Sequence, residues 1–416
     1  NAHDGNRDCV SCLVGSEMCI RDRMEDVEAE AERQVAGART FLQPGQQGTA
    51  DAVLAAREAI AGAGDVFELF CDTPLQRTET LQRMQAALDE GANVAVLGFE
   101  AADPTGYGRL LTSADGELLA IREHNDAPAE ERSVRLCNSG VTAFRVPDLK
   151  GLLDKIEANN AKGEYYLTDA IELERAQGLK AVAVASEEEE LLGVNDRRQL
   201  AVAEAVFQTR ARDRAMLEGA TLIAPETVWF SHDTKIGRDC IIEPNVFFGP
   251  GVEIGDDVRI LANSHIEGAK VAPGSRIGPF ARLRPGADLG ENVHIGNFVE
   301  VKNVRMGEGA KANHLAYLGD GSVGTKANIG AGTIFCNYDG FFKHRTEVGD
   351  GAFIGSNSAL VAPVKIGDGA FVGSGSVISR DVPKDALALE RNDQTTREGW
   401  AEKFRAVMKR RKEHAR

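Results

Sequence analysis

Long apolar runs, a basic surplus and aromatic side chains are all scarce in this sequence. Nowhere in its 416 residues does a run approach the roughly 20 apolar positions that a membrane-crossing helix needs. It therefore reads as a soluble protein. Forty-eight Lys and Arg stand against 64 Asp and Glu, a formal net charge of −16. So acidic a body argues against nucleic acid or an anionic membrane as partner, because both call for a positive face. Cysteines are few and odd in number, seven in all, which excludes the disulfide scaffold of a small secreted protein. Cys9 and Cys12 have the spacing of half a zinc site, but no second pair follows, and His3 and Cys19 do not complete one. Aromatics make up only 6% of the chain.

What is plentiful is glycine, 44 residues, which suggests a turn-rich and regular fold. Hydrophobic residues at 43% and charged residues at 27% fit an ordinary globular protein. Residues 1–23 show no periodicity and no basic start before an apolar run, so they are not a signal peptide. They look like translated adaptor sequence and are set aside as a non-native leader.

Two regimes divide the rest. Over residues 24–196 helix and strand patterns alternate: a helix over 52–63, a strand over 66–71 ending at Asp72-Thr73-Pro74, a helix over 78–90, a strand over 93–99 and a helix over 149–159. Such alternation predicts an α/β, Rossmann-like sheet with ligands at strand C-terminal ends. Residues 197–219 read as a linker helix. Over residues 220–416 aliphatic side chains recur every six positions, from Ile236, Ile242, Phe248, Ile254, Ile260 and Ile266 to Val271, Ile277, Leu283, Leu289, Ile295 and Val301. The pattern returns at Val323 and Ile329, and again from Val348 through Ile354, Leu360, Ile366 and Val372 to Ile378. Neither a helix nor an ordinary strand has period six. A hexapeptide repeat predicts a parallel β-helix in which each aliphatic residue points inward. Residues 336–347 (CNYDGFFKHRTE) interrupt the period, which marks them as a functional insertion on a rigid scaffold.

Repeats of this kind look like those of the hexapeptide acyltransferases, left-handed β-helices that are typically trimers with active sites between subunits. The segments GPFARLRPGADL, HIGNFVEVKN, ANHLAYLGD, NIGAGTIFCNYDG, IGSNSALVAPV and RDVPKDALAL make the resemblance narrower. They are similar to the acetyltransferase domain of the bifunctional N-acetylglucosamine-1-phosphate uridylyltransferase/glucosamine-1-phosphate N-acetyltransferase family. QQGTADAV, DPTGYGR, IREHNDA, CNSG, NNAKGEYYLTD and GVNDRRQL resemble its nucleotidyltransferase domain, in collinear order.

For the acetyltransferase half the resemblance implies His314 as general base, Arg284 and Lys302 for the sugar phosphate, and Tyr317 and Asn328 for the sugar hydroxyls of the same substrate. It implies Ala331, Asn337, Tyr338, Ser356, Ser374 and Arg391 as acetyl-CoA contacts, although the family often has Ala where Ser374 stands. Glu300 is expected as an orienting or electrostatic partner for the site. These residue types suit the chemistry: an imidazole accepts a proton near neutrality, and Arg and Lys meet phosphate as a fork and a point charge. Taken without the family, His314 reads as a surface or core histidine, Arg284 and Lys302 as solvated corner residues, and Asn328 as a rung in a structural ladder. The basic tail, with KRRK at 409–412, reads as a solvated helix, with contact to a coenzyme phosphate as the second reading.

For the uridylyl half the resemblance implies Asp72 and Asn195 as Mg²⁺ ligands, hard oxygen donors of the kind that ion prefers. Gln43, Gly48 and Thr49 then match uridine contacts, and Gly108, Glu123, Asn138 and Asn195 contacts to the UDP-sugar. Two departures stand out. The family's LAAGxGTRM-like loop and the Lys after it, which hold the nucleotide phosphates, do not occur here, the leader standing in their place. Cys71, in Phe70-Cys71-Asp72, replaces the family's usual Gly. The expectation is a cytoplasmic, homotrimeric acetyltransferase that takes acetyl-CoA and glucosamine-1-phosphate. Its uridylyl transfer from UTP to N-acetylglucosamine-1-phosphate is expected to be lost. The alternatives are a hexapeptide acyltransferase for another amino sugar and a non-catalytic trimeric scaffold.

Overall fold

The computed structural model describes residues 17–20, 25–35, 37–43, 47–60, 64–145, 149–158 and 163–414. Cys9, Cys12 and His3 lie outside the described residues, as do the last residues of the helices expected over 52–63 and 149–159. The chain divides into two compact units that meet between Phe207 and Gln208.

The first unit is built on a six-stranded mixed sheet in the order Leu118–Arg122, Arg109–Thr112, Leu136–Phe144, Val94–Glu100, Ala181–Ser186, with Val66–Glu68 added against Leu136–Phe144. Val94–Glu100 is central because it is apolar at both parities. Val94 and Val96 face a core with Leu153 and Ile171, while Ala95 and Leu97 face Met84 and Leu88 of the helix Thr78–Asp89. A strand buried on both faces reads as a continuous apolar run, not an alternating one. The strand expected over 66–71 stops at Glu68. Beyond it the chain turns, with the Thr73 N–H and hydroxyl both donating to the Phe70 carbonyl, the hydroxyl at 2.9 Å. The helix expected over 52–63 is two short ones, Thr49–Ala55 and Arg57–Ile60, and that over 149–159 is only Leu149–Leu153. Within the expected leader, Glu17–Ile20 forms a strand parallel to Arg39–Leu42, in a separate two-stranded sheet.

The second unit is a parallel β-helix. Ile236 pairs with Ile254 and Ile242 with Ile260, so three hexapeptides make one coil. One step of the series, from Ile266 to Val271, is five residues instead of six; it shortens a coil and pairs Ile254 with Val271. Every aliphatic residue of the predicted series is buried except Ile236, which is half-buried. Stacked inward rows of this kind remove apolar area from water at about 25 cal/mol per Å², and the outward positions are left free for chemistry. One edge of the prism carries non-glycine residues in the left-handed region, Asn263, Phe280, Phe298 and Leu315, each about one coil above the last. The interruption at 336–347 is an ordered turn: the Asp339 carboxylate accepts the N–H groups of Phe341 and Phe342 and lies 2.7 Å from His344 Nε2. Those donors hold its pKa down at about 2. The expected solvated tail is the helix Trp400–His414, exposed throughout.

Candidate active sites

His314 closes the strand Lys311–His314, and its register partner one coil below is Asn297. His314 Nδ1 lies 2.6 Å from Asn297 Oδ1. An amide oxygen is only an acceptor, so with the carboxamide in that orientation Nδ1 carries the proton and Nε2 keeps its lone pair. That is the tautomer a general base needs. Both side chains line a cleft of about 410 Å³ with Arg276, Phe280, His294 and Phe298. Glu300, expected as a partner within the site, lies against Arg284. It accepts from Arg284 Nη1 at 2.7 Å, and this bond raises the Arg284 pKa further above its ordinary value.

A column of backbone contacts continues from the histidine. The Gly332 N–H donates to His314 O, the Asn357 N–H to Ala331 O, and the Gly375 N–H to Ser356 O. Arg391 Nη1 then donates to Ser374 O at 3.0 Å. His314, Ala331, Ser356 and Ser374 therefore climb one edge of the helix, one coil apart, at about 4.8 Å per step. The fold thus gathers the expected base and four of the expected coenzyme contacts into one line.

Three residues along from His314, past the corner at Leu315, lies a second group. A side chain at Gly319 would meet Tyr317 Oη at 2.5 Å and Asn337 Nδ2 at 2.8 Å, so glycine there lets the phenol and the carboxamide come together over the backbone. Asn337 Nδ2 donates to Asp320 Oδ2 at 2.6 Å. The inserted turn also brings Lys343 against Lys302: the adjacent Lys302 ammonium holds the Lys343 pKa below the usual lysine range. Arg284, Lys302 and Lys343 thus give a local excess of positive charge on an acidic protein. Tyr338 points elsewhere, its hydroxyl donating to Gly340 O at 2.6 Å within the turn. Asn328 lies in register with Lys311 and Phe353, in a different sheet of the β-helix from Tyr317. Asn297, Asp320 and Lys343 are missing from the expected set. A signal for the first two was present, because residues about one coil length apart in sequence stack in space.

In the first unit, the Val194 N–H donates to Asp72 O at 2.8 Å, which sets Asn195 beside Asp72. Burial raises the Asp72 carboxyl pKa, and no cation among the described residues counters it there. A half-buried carboxylate next to a carboxamide oxygen suits Mg²⁺, which takes one or two protein oxygens and fills its other positions with phosphate and water. Among the described residues no group of three or more His, Cys, Asp or Glu could hold a metal. Gly108, Glu123 and Asn138 come together: the Asn138 N–H donates to Gly108 O at 2.8 Å, and a Cβ on Gly108 would lie 3.2 Å from Glu123 Oε1. Gly48 has φ 118° and backs directly onto the Tyr165 backbone, where a side chain would collide. Thr49 Oγ1 accepts from the Leu167 N–H at 2.8 Å, and Gln43 Nε2 donates to Asp51 at 3.0 Å. Cys71 is exposed with a free thiol.

Comparison with known proteins fits this geometry. The bacterial transferase hexapeptide model (six repeats) matches residues 233–268, 268–303 and 345–380. The bifunctional protein GlmU of Azorhizobium caulinodans is 59% identical over 92% of this chain and 86% of its own length. That of Xanthobacter autotrophicus is 58% identical over the same shares, and that of Rhodopseudomonas palustris strain TIE-1 is 56% identical over 97% and 88%. A nucleoside-diphosphate-sugar pyrophosphorylase from Vibrio cholerae overlaps 45% of this chain and 79% of its own, with a TM-score of 0.35 and 13% identity, and nothing further rests on it. At these identities over nine-tenths of its length, the chain belongs to the family of bifunctional GlmU proteins.

Proposed function

We propose that the β-helical unit transfers acetyl from acetyl-CoA to the amine of glucosamine-1-phosphate. The chain is an enzyme of the GlmU family, and the observation that carries the residue roles is the Asn297-oriented imidazole of His314. Nε2 takes a proton from the acceptor ammonium, and the freed amine attacks the thioester carbonyl carbon. As the tetrahedral intermediate collapses the C–S bond breaks, the proton held on Nε2 passes to the departing sulfur so that the coenzyme leaves as its thiol, and the nitrogen's remaining excess proton goes to solvent. The coenzyme lies along the Ala331–Ser356–Ser374 column with Arg391 at its far end, and the sugar phosphate faces Arg284, Lys302 and Lys343. The other half of the family's chemistry, uridylyl transfer to N-acetylglucosamine-1-phosphate, belongs to the first unit. Asp72 and Asn195 would hold Mg²⁺ there, which supplies charge neutralisation on the phosphates.

The active form is a homotrimer in the cytoplasm. Support for the trimer comes from the exposed apolar residues bordering the site, Phe280, Phe298, Leu315, Phe341 and Phe342. No helix among the described residues is long and apolar enough to cross a membrane. The working domain division is residues 24–196, 197–219 and 220–416. The test is coenzyme A release by the purified chain with glucosamine-1-phosphate, unphosphorylated glucosamine and galactosamine-1-phosphate in parallel. A clear preference for the first is expected; equal turnover of all three would overturn the assignment of the acceptor.

A further inference from the structure

Asp320 is only 8% exposed, yet its carboxylate feels two cations, Lys302 and Lys343. It lies in the strand Tyr317–Val323 and accepts hydrogen bonds from Asn303 Nδ2 at 2.7 Å and Asn337 Nδ2 at 2.6 Å. Asn337 is the foot of the inserted turn, its own carbonyl receiving the His344 N–H at 2.8 Å. The charged and titratable groups around this point come from three elements. Lys302 is on the strand Glu300–Met306, Lys343 on the inserted turn, and Tyr317 on the strand of Asp320 itself. Arg284 stands beside them, already paired with Glu300.

We propose that Asp320 is the positioning residue of the sugar-phosphate subsite: one buried carboxylate that ties the inserted turn to the coil through Asn337 and offsets the mutual repulsion of Lys302 and Lys343. This deepens the reading of Arg284 and Lys302 as the phosphate site and rests on it. Two ammonium groups in contact repel, and each would give up its proton more readily or swing into solvent. A shared anion behind them keeps both charged and facing the same way, as a doubly charged phosphate requires. The physical signs agree. Burial alone would raise the Asp320 pKa, but the two amide donors and the two lysines hold it below the ordinary carboxylate range, so it stays ionised at neutral pH.

Asp320→Asn is the test, because Asp320 has φ 52° and asparagine tolerates that left-handed conformation as readily as aspartate. The charge goes and the backbone is not strained. Kinetics are measured on the full chain from pH 6.5 to 9, with Lys302→Met as the reference for the phosphate site. The expected result is a KM for glucosamine-1-phosphate about tenfold higher at pH 8. The rise steepens with pH, since Lys343 loses its proton earlier, while the KM for acetyl-CoA is unchanged and kcat shifts less than threefold. If Lys302→Met leaves the acceptor KM unaltered, the phosphate site itself is misplaced. If Lys302→Met raises it and Asp320→Asn leaves both KM and its pH profile as in the wild type, the role of Asp320 is overturned. Should near-ultraviolet dichroism show Asp320→Asn unfolded, Lys343→Gln carries the test. A raised acceptor KM that no longer climbs with pH supports the proposal, and a wild-type KM and profile refute it.

Discussion

Glu174 offers a sharp test of how burial sets charge in this fold. It sits in the helix Asp169–Ala176, fully buried, and neither carboxylate oxygen has a hydrogen-bond partner among the described residues. Burial pushes its pKa up from 4.5 to about 8. Below pH 4.5 the carboxyl is neutral whether the chain is folded or unfolded, and it costs nothing in charge. Between pH 4.5 and 8 the unfolded chain ionises and the folded chain does not, so stability falls by about 1.4 kcal/mol per pH unit. At pH 7 the first unit therefore forgoes about 3 kcal/mol, and above pH 8 the loss levels off.

Glu174→Met removes the titration and fills the same space with an unbranched apolar side chain. The variant should gain about 3 kcal/mol at pH 7 and almost nothing at pH 5. Glu174→Gln should likewise lose the pH dependence, but with a buried amide left short of partners at a cost of about 1–3 kcal/mol. The assay is urea titration from pH 5 to 9 with hydrogen-exchange mass spectrometry of peptides covering Asp169–Ala176 and Ala181–Ser186, which reports the first unit by itself. A Met variant whose advantage stays constant across pH, or that is less stable at pH 8, would refute the reasoning.

The other predictions concern the β-helical unit. His314→Ala should lower acetyl transfer by about 10²–10⁴-fold with an unchanged dichroism spectrum; a wild-type rate would make the histidine structural. Asn297→Ala, which frees the imidazole to rotate, should lower kcat while sparing the KM for acetyl-CoA, and an unchanged kcat would remove Asn297 from the mechanism. Gly319→Ala places a methyl 2.5 Å from Tyr317 Oη and 2.8 Å from Asn337 Nδ2. It should raise the acceptor KM several-fold, read against an unaltered melting temperature. Sedimentation at micromolar concentration should give three chains per particle, and a persistent monomer would break the shared-site assignment.

The sequence by itself determined the second unit's architecture, because period six admits one kind of inward row and Ile242, Ile260 and Ile277 had to stack. It also determined which residues to watch, through the segments around Arg284, His314 and Asn337. The first unit was legible as an α/β sheet, but its boundaries were not. Residues 66–71 look uniformly like strand, and it is the turn closed on the Phe70 carbonyl that ends pairing at Glu68. Only the tertiary structure decided the partnerships. Glu300 went to Arg284 and Asn297 to His314, since the coil length, not chain proximity, sets which side chains face each other. The 336–347 insertion breaks that arithmetic, so nothing in the local sequence places Lys343 on Lys302. Nor does a helix that carries Asp169, Glu172 and Arg175 as well announce that Glu174 is the charged residue that turns inward. Burial of that carboxyl is a property of the neighbours' volume, and the elements packed on its helix include Leu118–Arg122 and Leu149–Leu153, well before it in the chain.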